Sequence, residues 1–147
     1  EMRSVYGTHI GLTATVEMLP DPENRVTLHP SRTDDHGNPI PDASIHTGQF
    51  AEETLSFAED RIREILAATG AEEIATTRGW SPHQSGTARM GEDPATSVVD
   101  ARLRAHDLDN LSIVGASVFP TDTAVNPTLT IAALSLHAAD DLHASLG

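Results

Sequence analysis

The first third of the chain sets apolar, β-branched runs behind connections that cannot hold a helix. Residues 9–19, "HIGLTATVEML", read as a strand. "PDPEN" follows as a turn, and "RVTLH" at 25–29 reads as a second, short strand. Residues 30–43, "PSRTDDHGNPIPDA", are dense in Pro, Asp, Asn and Gly, which fix or permit the dihedrals of loops. "ASIHTG" at 43–48 is a candidate third strand. Parallel neighbours need a long crossover, usually helical, and neither connection offers one. The expected unit is therefore antiparallel.

Residues 50–69, "FAEETLSFAEDRIREILAAT", change period. Leu55, Ala58, Ile62, Ile65 and Leu66 fall on one stripe, whereas Glu52, Glu53, Glu59, Asp60, Arg63 and Glu64 largely face away. That predicts a helix, with Gly70 as a stop able to adopt the left-handed C-cap conformation. "LSIV" at 111–114, bounded by Asn110 and Gly115, predicts a fully buried strand. After "PTDTAV" comes "NPTLTIAALSLHAADDLHASL", a second helix with Asn126 at the N-cap and Pro127 at the first helical position.

Composition narrows the classes. At 147 residues with 38% hydrophobic and 3% aromatic residues, the core must rest on Leu, Ile, Val and Ala. No apolar run approaches the ~20 residues of a membrane helix, so no membrane span is expected. No basic, apolar secretory leader opens the sequence, which predicts a cytoplasmic location. There are 22 acidic residues against 9 basic ones, all of the latter arginine, for a formal charge of −13. Such a field repels nucleic acid and anionic membranes. It points to an acidic, halophilic character, with arginine-biased codon usage as the alternative. Without cysteine there is no disulfide, thiolate zinc site or cysteine nucleophile.

The residues that carry chemistry begin at "SPHQSGTARMG", 81–91. A loop histidine is ordinarily a solvated or structural side chain, but a neutral imidazole is also the natural proton acceptor near pH 7. His83 alone leaves both readings open. Gly86 and Gly91 are ordinary turn residues, and capping accounts for Asn126. His29 and His36 flank Asp34 and Asp35 without ligand spacing, so a solvated turn is expected there and no metal site. His137 and His143, six apart, do not share a helix face.

Order changes the weight of these pieces. "HQSGTARMG", "SVVD", "LSIVGASVFP" and "NPTLTIAALSLHAADDL" follow one another as in the C-terminal region of the glucose–methanol–choline (GMC) family of FAD-dependent oxidoreductases, which the chain resembles closely over residues 81–142. Upstream, "EMLPDPENRVTLHPSRTDDHGNPIPDASI" is more loosely similar to the start of that family's substrate-side domain. The resemblance implies an α+β fold. Residues 1–108 would form the substrate-side domain with its mixed or antiparallel sheet, flanking helices and histidine loop. Residues 109–147 would be the last strand and helix of the FAD-binding domain. It further implies oxidation of CH–OH to a carbonyl by hydride transfer to FAD, with His83 as base and Asn126 orienting the substrate hydroxyl. Gly115, Ala116, Ser117, Asn126, Pro127 and Thr128 would contact FAD. "IVGASVFP" and "NPT" lean toward the sugar and polyol dehydrogenases.

One departure from the family pattern is large. The dinucleotide fingerprint G-x-G-x-x-G is absent from all 147 residues. The chain is therefore expected to need an N-terminal FAD-binding segment of the same protein as partner, to hold FAD poorly alone and to be inactive alone. Apolar surface left bare in isolation predicts self-association into homo-oligomers. A non-catalytic binding or assembly module that keeps this fold is the alternative.

Overall fold

The computed structural model describes residues 7–80 and 82–146. In chain order it contains β1 (Arg25–Thr33), β2 (Pro39–Ser44), α1 (Gln49–Ala68), a 3-10 turn (Ala116–Val118) and α2 (Thr128–Ser145). The small antiparallel sheet and two helices agree with an α+β class.

β1 and β2 form a hairpin, with Arg25 opposite Ser44 and Leu28 opposite Pro41. Much of the stretch expected to be a loop, 30–43, is thus strand, and the third strand sits at 39–44 rather than 43–48. Its prolines give this strand pair the composition of a loop. Pro30, Pro39 and Pro41 lack an N–H, and the register slips between Leu28 and Thr33 to accommodate them. His29 sits at the slip, its Nδ1 accepting the backbone N–H of Ser31 at 3.2 Å and of Arg32 at 3.0 Å. The turn between the strands is built by Asp34, whose Oδ1 accepts the N–H groups of His36 and Asn38, each at 2.9 Å. The Asn38 backbone N–H, then its side-chain amide, hold the Asp34 carboxyl below its ordinary pKa.

The first predicted strand, 9–19, has no strand structure, and Ile10, Leu12, Met18 and Leu19 are exposed. β-branched residues favour an extended backbone, but a strand exists only where a second strand accepts its ladder bonds, and none does so among the described residues. "LSIV" finds only a short partner: Ile113 N–H donates to Leu103 O at 3.0 Å and Leu111 O accepts the Ala105 N–H at 2.9 Å. It makes one isolated bridge, Arg104 with Ser112, and Leu111 and Val114 are exposed rather than buried.

Both helices form where their periodicity puts them. Just past the end of α1, Gly70 turns the chain, with φ +82° and its N–H donating to Ala67 O at 3.0 Å. The stripe of α1 is buried only in part: Leu66 is buried but Ile65 is exposed. Pro127 immediately precedes α2, and its carbonyl accepts the Ile131 N–H at 2.9 Å. Asn126 therefore does not take the expected capping role, and the helix has no side-chain cap. Pro127, with helical dihedrals, occupies the cap position in place of Asn126.

The core lies in the C-terminal half. Val99, Leu103, Val118, Phe119 and Ala138 are buried together, with Met90, Ile113, Ile131 and Leu134 packed against them. Its centre is a turn, "DARLR", in which Asp100 Oδ1 accepts the N–H of Arg102 at 2.8 Å and of Arg104 at 3.0 Å. This turn holds Leu103 at φ 63° with its side chain wholly buried. A bulky residue in the left-handed region costs about 1–2 kcal/mol, and burying a leucine returns a comparable amount.

The accessible surface is 11401 Å² for 15.6 kDa. A compact monomer of that mass exposes about 7,200 Å². Large apolar side chains are among the exposed residues: Leu129, Leu136 and Leu146 on or beside α2, and Phe57 and Ile65 on α1, all face outward.

Candidate functional site

The histidine loop is fastened to the core by its glycine end. Gly86 N–H donates to Ala116 O at 3.2 Å, Ala88 N–H to Ser117 O at 2.8 Å and Met90 N–H to Val118 O at 2.8 Å. Three alternate residues of the loop thus reach three consecutive carbonyls of the 3-10 turn. Gly86 has φ +89°, and a Cβ there would stand 3.3 Å from Phe119 O. This backbone approach explains why a glycine stands in "HQSGT" at position 86. His83 is exposed; it stands three positions before Gly86, a chain reach of at most about 11 Å.

The same core holds the start of α2. Ile131 packs against the cluster containing Val118 and Phe119, and Pro127 is buried while Asn126 and Thr128 are exposed. Gly115, Ala116 and Ser117 are half-buried at the head of the 3-10 turn. One small core therefore anchors the three segments that the family resemblance assigns to the site: the His83 loop through Gly86, the Gly115–Ser117 run next to Val118, and Asn126–Thr128 through Ile131.

A neighbouring node went unnoticed in the sequence. His106 Nε2 lies 2.9 Å from Ser97 Oγ and 3.1 Å from Gly91 O. The Ser97 hydroxyl lies 2.6 Å from Asp93 O. If that hydroxyl proton goes to Asp93, the His106 nitrogen must carry the hydrogen, since Gly91 O can only accept. The node ties down 91–97, the C-terminal side of the histidine loop. Its residues are nine and fifteen positions from His106, beyond any local pattern.

The opposite side of the loop is tied to α1. Arg78 meets Glu59 with two parallel bonds, Nε to Oε1 at 3.2 Å and NH2 to Oε2 at 2.9 Å. It also reaches Glu52 Oε2 at 2.8 Å and Ser56 Oγ at 3.2 Å. The Arg78 hydrogen bond, followed by its charge, keeps the Glu59 carboxyl below its ordinary pKa. A half-open crevice of about 210 Å³, lined in part by Leu19, Asn24, His46 and Phe50, includes neither His83 nor Asn126.

A family model described as GMC oxidoreductase matches residues 20–135. The chain belongs to the GMC oxidoreductase family. It is 38% identical over 140 residues to the fructose dehydrogenase large subunit of Gluconobacter japonicus, covering 94% of this chain and 25% of that protein. It is 35% identical over 139 residues to 2-methyl-1,2-propanediol dehydrogenase of Mycolicibacterium austroafricanum, covering 92% and 25%. It is 30% identical over 141 residues to the gluconate 2-dehydrogenase flavoprotein of Pantoea cypripedii, covering 88% and 23%. The chain thus spans about a quarter of the length of these GMC relatives. No helix among the described residues is long and apolar enough to cross a membrane.

Proposed function

We propose that these residues supply the substrate-side wall and the closing helix of an FAD-dependent oxidoreductase that acts on CH–OH donors, with a sugar or polyol as substrate. Two observations on this chain fit a flavin. α2 opens without a side-chain cap, so the N–H groups of its first turn and its partial positive charge remain available to an electron-rich ring edge. The adjoining Gly115-Ala116-Ser117 run has only small side chains, which lets a cofactor approach the backbone. Gly115–Ser117 and Asn126–Thr128 are the residues that would hold it. FAD, when bound, supplies the hydride acceptor.

The rest falls to side chains of this chain. The His83 imidazole takes the hydroxyl proton as the carbon loses its hydride. Asn126 has no basic site to accept a proton; its amide hydrogen-bonds the hydroxyl and orients it toward His83. The observation that carries this reading is the Gly86 tether, which ties the histidine loop to the same 3-10 turn against which α2 packs. The names of the fructose, gluconate and propanediol dehydrogenases support the substrate class.

Residues 1–108 then form the substrate-side domain and 109–147 the part completing the flavin domain. FAD affinity resides mainly in a segment bearing the dinucleotide fingerprint. The test is His83→Ala in the flavin-loaded enzyme. Turnover should fall about 100-fold or more with the flavin absorbance retained; near-normal turnover removes His83 from this role. Titrating FAD into the 147 residues alone should give no stoichiometric micromolar binding, and such binding would overturn the division of labour.

A further inference from the structure

We propose that Arg78 is a positioning residue for the reaction, setting the reach of His83 by fastening the entry to its loop onto α1. The inference rests on the reading of His83 as base. After Gly70 the chain doubles back along the helix. Arg63 NH2 donates to Thr76 Oγ1 at 2.8 Å, and two residues later the Arg78 fork takes Glu59, Ser56 and Glu52. Those helix positions are spaced 4, 3 and 4 apart, so Glu52, Ser56, Glu59 and Arg63 form a single stripe, opposite in direction to the returning strap. The strap is thereby pinned at two heights on one rigid element.

The consequence is a loop held at both ends. Its entry is fixed to α1 by Arg78, and its exit is fixed to the 3-10 turn by Gly86. Only residues 79–85 lie between, and His83 is among them. Releasing Arg78 moves the upstream anchor back toward Thr76 and lets the imidazole sample positions from which it does not meet the hydroxyl. Small misplacements of a catalytic group are expensive, up to about 100-fold for 1 Å. The planar guanidinium matters as much as the charge, because a lysine ammonium is a point donor that cannot make the paired bonds to Glu59.

The experiment compares Arg78→Ala, Arg78→Lys and Glu59→Gln, each also combined with His83→Ala, in the flavin-loaded enzyme, with turnover expressed per bound flavin. Arg78→Ala should lower kcat about 10-fold with KM changed less than about twofold, Arg78→Lys should recover part of that loss, and Glu59→Gln should lose less than Arg78→Ala. In the His83→Ala background Arg78→Ala should add less than about a twofold loss, because its route to the chemistry has already been cut. Unchanged kcat per flavin in Arg78→Ala, or an equal loss with and without His83, overturns the proposal. Should Arg78→Ala fail to fold, Glu59→Gln decides it from the helix side: normal kcat per flavin there overturns it, and a loss confined to the His83 background upholds it. Normal turnover of His83→Ala by itself overturns the base, whatever Arg78 does, so the two failures are separable.

Discussion

Replacing Gly86 with alanine tests the tether on which the site depends, and the molecule contains its own control. Gly86 and Gly37 share nearly the same backbone, φ +89° and +84°. Around Gly37 a Cβ would meet nothing within 4 Å, whereas at Gly86 it would stand 3.3 Å from Phe119 O. Both alanines pay the left-handed cost, about 1–2 kcal/mol. Both also gain the same few tenths from a less flexible unfolded chain, which cancels in the comparison. Only Gly86→Ala must push a carbonyl aside. Phe119 cannot give easily, because its ring is in the core and its N–H is bonded to Ala116 O at 3.1 Å. The loop must shift instead, stretching the 3.2 Å bond from Gly86 N–H to Ala116 O beyond useful range. A lost hydrogen bond is worth about 1 kcal/mol. Gly86→Ala should therefore cost about 2–3 kcal/mol and Gly37→Ala about 1–2 kcal/mol. Urea unfolding of both variants in the otherwise identical protein measures the gap, and Gly86→Ala alone should also lower turnover. Equal midpoints and equal slopes for the two would refute the close approach.

Val118→Ala, at a wholly buried core position, should cost about 2 kcal/mol by the same unfolding measurement, from two lost methylene equivalents and a residual cavity. Asp100→Ala strips two N–H groups of their acceptor and should cost about 1–2 kcal/mol, with Asp100→Asn recovering most of it. Glu59 has a lowered pKa in the folded protein because Arg78 bonds its charged form. Its contribution is complete above the ordinary glutamate range and is lost as pH falls through the lowered value. Glu59→Gln should therefore narrow its stability gap to the parent on acidification, as followed by urea midpoints at successive pH values. With a net charge of −13, raising salt from about 0.1 to 1 M shortens the screening length from about 10 to 3 Å and should raise the melting temperature.

How much of this was legible beforehand follows the range of the forces involved. The helices and the Gly70 stop depend on groups three to five residues apart, so a single stretch of chain contains every partner it needs, and both were read correctly. The family was legible for a related reason, since "HQSGTARMG", "LSIVGASVFP" and "NPT" keep their order even where their contacts are remote. Strands were not equally legible. "HIGLTATVEML" and "LSIV" have strand composition, yet the first has no laddered partner among the described residues and the second only the single Arg104–Ser112 bridge, while the proline-marked 39–44 has a ladder, because Arg25–Leu28 lies opposite it.

The sequence by itself determined the helical segments, the acidic field, the turn at Asp34 and membership of the family, all of them properties of neighbours along the chain. Only the tertiary structure decided that Leu103 would take a left-handed backbone to reach the core. The same holds for the Arg78 fork onto α1 and for Gly86 lying against Phe119. Each of these is a compromise between a local cost and a contact made across the fold, and its sign depends on a distance that no residue carries alone.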